Sequence, residues 1–201
     1  MKVVVFGASG RTGGLVVRGA LERGHDVVAF VRDPAKLRLQ DTRLSVVKGD
    51  VFDYDDVLAA VSGSSAVISA LGTGSGVSVC TEAAKNIVRA MKESGVRRLI
   101  CVSVHGVGDT RGSGFFPWLA WAVLRNVMED KERMEEVIRA SDLDWTTVRP
   151  TALTGGRRTG KYRVGARPGL LSRISRADVA DFILQQLDDR SFIRRAPTVT
   201  G

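Results

Sequence analysis

The sequence predicts an α/β fold: a doubly wound, parallel β-sheet with helices on both faces. Three observations carry this. Strand-like and helix-like segments alternate from end to end, and strands separated by helices of ten or more residues belong to parallel βαβ units. The strand segments are short unbroken apolar runs without alternation, as in strands covered on both faces. The first such run leads straight into three glycines and then a helix, which is how a Rossmann-type sheet begins. The expected strand order is 3-2-1-4-5-6, with a possible seventh strand at the edge. With 201 residues, 44% hydrophobic and 26% charged, the chain reads as one globular domain spanning 1–201.

The elements follow in order. VVVF (3–6) is a buried strand. Thr12–Arg23 is a helix: Leu15, Val16, Gly19 and Ala20 share one face, and Gly24 stands where a C-terminal cap belongs. DVVAFVR (26–32) and LSVVKGD (44–50) are the second and third buried strands. Asp55–Val61 is a short helix ending near Gly63. SAVISALG (65–72) is the fourth strand, and Val77–Glu93 is a long helix followed by Gly95. RRLICVSV (97–104) and DWTTVRP (144–150) are the fifth and sixth strands, with a long helix between them around Trp118–Ala140. SRADVADFILQQL (175–187) is the last helix, with Ser175 as its N-cap. APTVTG (196–201) is the candidate seventh strand. Two stretches, about 105–117 and 151–172, lack regular signals. Both follow carboxyl ends of strands, where open α/β sheets bind ligands, so they read as substrate-side loops.

Composition narrows the function classes. The net charge is +8, but the basic residues form scattered pairs (Arg97-Arg98, Arg157-Arg158, Arg194-Arg195) rather than a block or helical stripe. No aromatics interleave with them as a nucleobase-stacking platform requires. The charge therefore points to an anionic small molecule, not to nucleic acid. No apolar run of about 18 residues exists, so no membrane span is expected. The run at 3–6 is too short for a signal peptide, which leaves a cytoplasmic location as the expectation. Cys80 and Cys101 show neither metal-ligand spacing nor a disulfide framework, and no metal site is expected.

The glycines in GASGRTG are spaced Gly-x-x-Gly-x-x-Gly. Gly7 permits a sharp turn off the strand, Gly10 lets the backbone approach a pyrophosphate, and Gly13 allows close helix–strand contact. The amides at the helix start then face the phosphates. The second strand ends in FVRD. An acidic residue there bonds a ribose 2′-hydroxyl, whereas an arginine accommodates a 2′-phosphate. Arg32 precedes Asp33, and Arg11 adds a second fork-shaped cation suited to phosphate, so NADPH/NADP+ is favoured over NADH. The alternative is a solvated Arg32 with Asp33 on the ribose. Asp50 would flank the adenine, and Gly72 and Thr73 would lie beside the pyrophosphate and the nicotinamide ribose.

Taken together, VVVFGASGRTG, VVAFVRD, VVKGDV, AVISALGT, NIVRAMKESGVRRLICVS, DKERMEEVIRASDLDWTTVRP, TGKYRV and RISRADVADFIL resemble the atypical short-chain dehydrogenase/reductase superfamily. Within its NAD(P)H-binding, NmrA-like branch the chain looks most similar to the biliverdin-IXβ reductase/flavin reductase group. The resemblance spans nearly the whole chain. It implies a cytoplasmic NADPH-dependent reductase, a monomer or weak homodimer. On the matching positions it implies cofactor contacts from Gly7, Ser9, Gly10, Arg11, Thr12, Arg32, Asp50, Val51, Leu71 and Gly72, and an active-site serine at Ser103.

Many short-chain dehydrogenases protonate a carbonyl through a Tyr-x-x-x-Lys pair. Here the tyrosines are Tyr54 and Tyr162 alone, and neither has a lysine four residues on. What remains suits hydride transfer to a conjugated acceptor, such as a flavin or a bilin, that can take its proton from water. Ser103 is either a hydrogen-bond donor to the nicotinamide carboxamide or acceptor, or a structural hydroxyl. His105 is a proton donor or a solvated loop side chain. Lys131 either serves the site or pairs with Glu135 at i,i+4. Tyr162 either stacks on or protonates a substrate, or is an ordinary surface-loop residue. FFPWLAWAVL reads first as core packing, with Phe115, Phe116 and Trp118 as a candidate wall for an aromatic substrate. Arg157, Arg158, Lys161, Arg163 and Arg167 either attract substrate anions or are a solvated run. Two other functions stay open: an NAD(P)H-dependent ketoreductase or isomerase using Ser103 with His105 or Lys131, and a non-catalytic NADPH-binding redox sensor.

Overall fold

The computed structural model describes residues 1–72, 78–112, 118, 121–169 and 171–201. The six apolar runs fold as β1 (Lys2–Phe6), β2 (Asp26–Val31), β3 (Leu44–Lys48), β4 (Ala66–Ser69), β5 (Arg98–Val102) and β6 (Asp144–Pro150). The helical segments fold as α1 (Gly13–Glu22), α2 (Tyr54–Val61), α3 (Val79–Glu93), α4 (Arg125–Arg139) and α5 (Arg176–Gln185). Four short strands complete the described structure: β7 (Ala152–Thr154), β8 (Arg163–Val164), β9 (Arg173–Ser175) and β10 (Thr198–Thr200). The main sheet runs β3-β2-β1-β4-β5-β6-β10-β8. Its first six strands are parallel and in the predicted order. β10 is the seventh strand, parallel to β6. The 151–172 stretch is more ordered than its sequence suggests: β8 pairs antiparallel with β10, and β7 pairs with β9 in a separate small sheet.

β1 shows why the runs are unbroken. Successive side chains point to opposite faces of the sheet. Val3 and Val5 enter the core shared with α1 and α5, while Val4 and Phe6 enter the core shared with α2, α3 and α4. With a helical layer on each side, both sets must be apolar. Ser175 caps α5 as predicted, its Oγ accepting from the Asp178 amide at 3.0 Å.

Two elements depart from the sequence expectation. β3 is not covered on both faces: Val46 is 41% exposed, because β3 is the sheet's edge and has one strand neighbour. The helix before β6 does not run unbroken from Trp118. Residues 121–123 are helical, Leu124 breaks the backbone at φ −119°, and α4 begins at Arg125. Trp118, Val123 and Leu124 are 63%, 70% and 50% exposed instead of packed in the core. The buried apolar stripe of α4 starts only at Met128, with Met134 and Ile138 following.

Candidate functional site

A cleft of about 210 Å³ opens across the carboxyl ends of β1, β2 and β4. The sequence analysis named seven of its lining residues: Gly7, Ser9, Gly10, Arg32, Val51, Leu71 and Gly72. Phe30, Val31, Phe52, Ala70 and Val79 complete it and had not been singled out. Gly7 turns the chain at φ +76°, and a Cβ there would lie 2.8 Å from the Ala70 carbonyl oxygen. A Cβ at Gly13 would lie 2.1 Å from the Gly7 oxygen, so α1 sits directly on the turn. Gly72 faces open space, with nothing within 4 Å of its Cβ position. Thr12 precedes α1 without a side-chain cap, and the first turn carries no acidic residue. The positive end of the helix dipole is thus left for an anion.

The end of β2 separates the two residues that bear on the nucleotide. Arg32 lines the cleft. Asp33 is engaged in its own turn: Oδ1 accepts from the Ala35 amide at 3.1 Å, and Oδ2 lies 3.9 Å from Lys36 Nζ. Ser9 also borders a neighbouring groove with Arg11, Arg18, Lys36 and Arg38. Among the described residues Arg11, Arg18 and Arg38 form no ion pair. Asp50 holds the turn after β3: its Oδ1 accepts from the Phe52 amide at 3.0 Å and its amide donates to Asp56 at 3.0 Å. Its neighbour Val51 lines the cleft. Thr73 lies outside the described residues.

Ser103 is not among the residues that line the cleft; it follows β5, and its amide donates to the Val148 carbonyl at 2.8 Å. Its Oγ is buried and has no partner among the described residues. His105 is 2% exposed, not solvated. Its amide donates to the Pro150 carbonyl at 3.0 Å, and Nδ1 lies 3.0 Å from Thr198 Oγ1. Burial first, and then the Arg149 charge, hold its pKa below the usual histidine value, with Asp109 opposing. His105 borders a separate hollow of about 490 Å³ with Asp109, Arg167 and Thr198.

Lys131 does not pair with Glu135. Its Nζ donates to the Leu71 and Val102 carbonyls, both at 2.8 Å, while Glu135 faces β6 and binds Arg149 through Nε at 2.9 Å and Nη2 at 2.6 Å. Arg149 is fully buried and also reaches Asp109 at 2.6 Å, which fastens the loop after β5. The sequence analysis missed this pair and missed Asp130. For the pair, the available signal was an arginine in a strand read as buried, where a charge needs a partner.

Tyr162 does not line the cleft. β8 turns it onto α5, where its hydroxyl donates to Asp181 at 3.2 Å and its ring packs edge-on against Phe182. Burial and the Asp181 charge push its pKa up to about 12. Arg158 of the basic loop likewise pairs with Asp181, at 3.1 Å. Phe115 and Phe116 lie outside the described residues, and Trp118 is largely exposed. Cys80 and Cys101 are buried, and burial pushes the Cys101 thiol up to about 12. No helix among the described residues is long and apolar enough to cross a membrane.

Comparison with known proteins bears on the family and the fold. Residues 7–190 match the NAD(P)H-binding family. The YwnB protein of Bacillus subtilis is 27% identical, over 94% of this chain and 92% of its own. A chloroplastic protein of Arabidopsis thaliana is 33% identical, over 92% of this chain and 71% of its own. Among solved structures, the anaerobillin reductase ChuY of Escherichia coli O157:H7 superposes with a TM-score of 0.87 at 24% identity, over 99% of this chain and 96% of its own.

Proposed function

The chain belongs to the NAD(P)H-binding family, and from that premise we propose that it is an atypical short-chain dehydrogenase/reductase, an NADPH-dependent reductase passing hydride to a conjugated acceptor such as a flavin or a bilin. The observation that carries this is a nucleotide cleft without a tyrosine acid. Tyr54 is hydrogen-bonded to Glu93 and Tyr162 to Asp181, and both pKa values are raised, by the Glu93 bond in the first case and by burial in the second. Neither is tuned to give up a proton near neutrality. An acceptor that needs no protein acid fits such a site.

Bound in the cleft, a nicotinamide supplies the hydride, and the protein supplies position. The Gly7–Gly13 turn and the α1 N-terminus would receive the pyrophosphate. Arg32, with Arg11, Lys36 and Arg38 beside it, would receive a 2′-phosphate, since Asp33 is held in its own turn. Ser103 Oγ, buried and without a partner among the described residues, would donate to the carboxamide or the acceptor. The fold neighbour that reduces anaerobillin supports trying bilins first. The partner is a small aromatic molecule, with no nucleic acid and no membrane, and the site is read as cytoplasmic.

The test is NADPH oxidation with riboflavin, FMN and a bilin. Turnover with at least one is expected; none with any aromatic acceptor overturns the proposal. Replacing Arg32→Gln should raise the KM for NADPH roughly 10–100-fold, the worth of about 1.5–3 kcal/mol for a hydrogen bond to a charged group, and leave that for NADH nearly unchanged.

A further inference from the structure

Leu71 and Gly72, which follow β4, and Val79, which opens α3, form one wall of the cleft. Adjacent residues of α4 grip both ends of that wall. Asp130 is 2% exposed and accepts from the Cys80 amide at 3.0 Å, the Thr81 amide at 2.9 Å and the Thr81 hydroxyl at 2.7 Å. It caps α3 from outside, where the helix's own N-cap, Ser78, makes no side-chain cap bond among the described residues. Lys131 is 5% exposed and ties the Leu71 carbonyl, at the exit of β4, to the Val102 carbonyl, at the end of β5. Ser103 is the next residue. The neighbouring Glu132 accepts from the Gly108 amide at 3.3 Å and from Arg111 at 2.9 Å, holding the loop after β5.

Burying an ammonium group is unfavourable unless its hydrogens are satisfied. Two of the three N–H bonds of Lys131 are committed to backbone carbonyls, which accept hydrogen bonds but do not take protons. We propose that Lys131 is a positioning residue: it sets the spacing of the β4 and β5 exits for the nicotinamide half of the cofactor and takes no part in proton transfer. The proposal rests on the nucleotide-binding reading of the cleft, not on the identity of the acceptor.

The experiment compares Lys131→Met, which keeps length without donors, with Lys131→Arg, which keeps donors but does not release a proton near neutrality. Calorimetry measures binding of NADPH and of its adenine-side fragment 2′,5′-ADP; ADP-ribose and NADH replace them should NADH bind more tightly. The methionine variant should bind the fragment within about twofold of wild type, bind the whole dinucleotide about tenfold more weakly, and lose roughly 10–100-fold in kcat. The arginine variant should recover most of both losses, and the pH profile of kcat should keep its shape in each. Equal impairment of the two variants, a lost limb in the pH profile, or unchanged dinucleotide binding in the methionine variant overturns the proposal. Should the methionine variant lose fragment binding as well, it has unfolded and the arginine variant decides: dinucleotide binding with turnover supports positioning, and binding without turnover overturns it. A wild type that binds NADPH but reduces no acceptor refutes the reductase function and leaves the binding comparison intact.

Discussion

Both histidines of the chain sit where the folded protein disfavours their charged form. Burial first and then the N-terminal amino group lower the pKa of His25, against Asp188; burial and Arg149 lower that of His105, against Asp109. The sign follows from proton linkage. Below about pH 6.5 an unfolded histidine takes up a proton that these folded ones refuse, so the unfolded state binds more protons and stability is lost as pH is lowered. Thermal midpoints should therefore drop between pH 7.5 and 5.5, and His25→Asn with His105→Asn should flatten that slope. A slope unchanged in the double variant would assign it to other groups. Asp109 acts in a separate window. Burial raises its pKa, but the hydrogen bond and charge of Arg149 more than offset this, so its contribution is present above about pH 3.8 and is lost as pH falls through its lower folded value. None of this was legible locally. SVHGVGD reads as a solvated, glycine-rich loop, and the Thr198 that meets His105 stands 93 residues away.

Among the elements, α1 and the turn before it show what a sequence can announce. Gly7, Gly10 and Gly13 lie within seven residues, and the last two are crowded by the Gly7 oxygen, so their spacing marks the cradle, although the Ala70 oxygen that crowds Gly7 comes from β4's exit. Adjacent glycines give a sharp test. Gly13→Ala would place its Cβ 2.1 Å from the Gly7 oxygen, backbone against backbone, and α1 would have to move. Such overpacking typically destabilises by about 1–3 kcal/mol, and here it should also abolish dinucleotide binding. Gly14→Ala meets only the Ala8 oxygen, at 3.5 Å, an ordinary contact. It should fold as well as wild type or better, since alanine favours a helix over glycine by up to about 1 kcal/mol. Chemical denaturation and dinucleotide binding of the two variants check this; equal behaviour would show that the glycines do not set the packing of α1. Two elements were misread because apolar content is not burial. A run such as LSVVK looks the same at an edge as in the centre, and the exposed Val123 and Leu124 look like core until the break at Leu124 is seen.

For the whole molecule, the strand order was legible because alternation and handed crossovers leave few topologies. The partners of α4 were not. Lys131 reaches Leu71 across 60 residues and Val102 across 29, and Arg149 meets Glu135 only because β6 lies beside β5. Cleft, basic groove and sheet together make a global expectation. A ligand that binds only the folded state stabilises it by RT ln(1 + [L]/Kd), about 2.7 kcal/mol at 100 times Kd. In a chain of 201 residues each kcal/mol moves Tm by about 2–4 °C, so NADPH at that excess should raise Tm by roughly 5–10 °C. NADH at the same concentration should raise it less, because Arg11, Arg32, Lys36 and Arg38 have no 2′-phosphate to meet. Added salt should shrink the difference between the two nucleotides, since those cations border open grooves and their attraction is screened over about 10 Å at 0.1 M. A Tm that moves with neither nucleotide would remove the dinucleotide from the cleft, and one that moves equally with both, at every salt concentration, would remove the 2′-phosphate from the groove beside it.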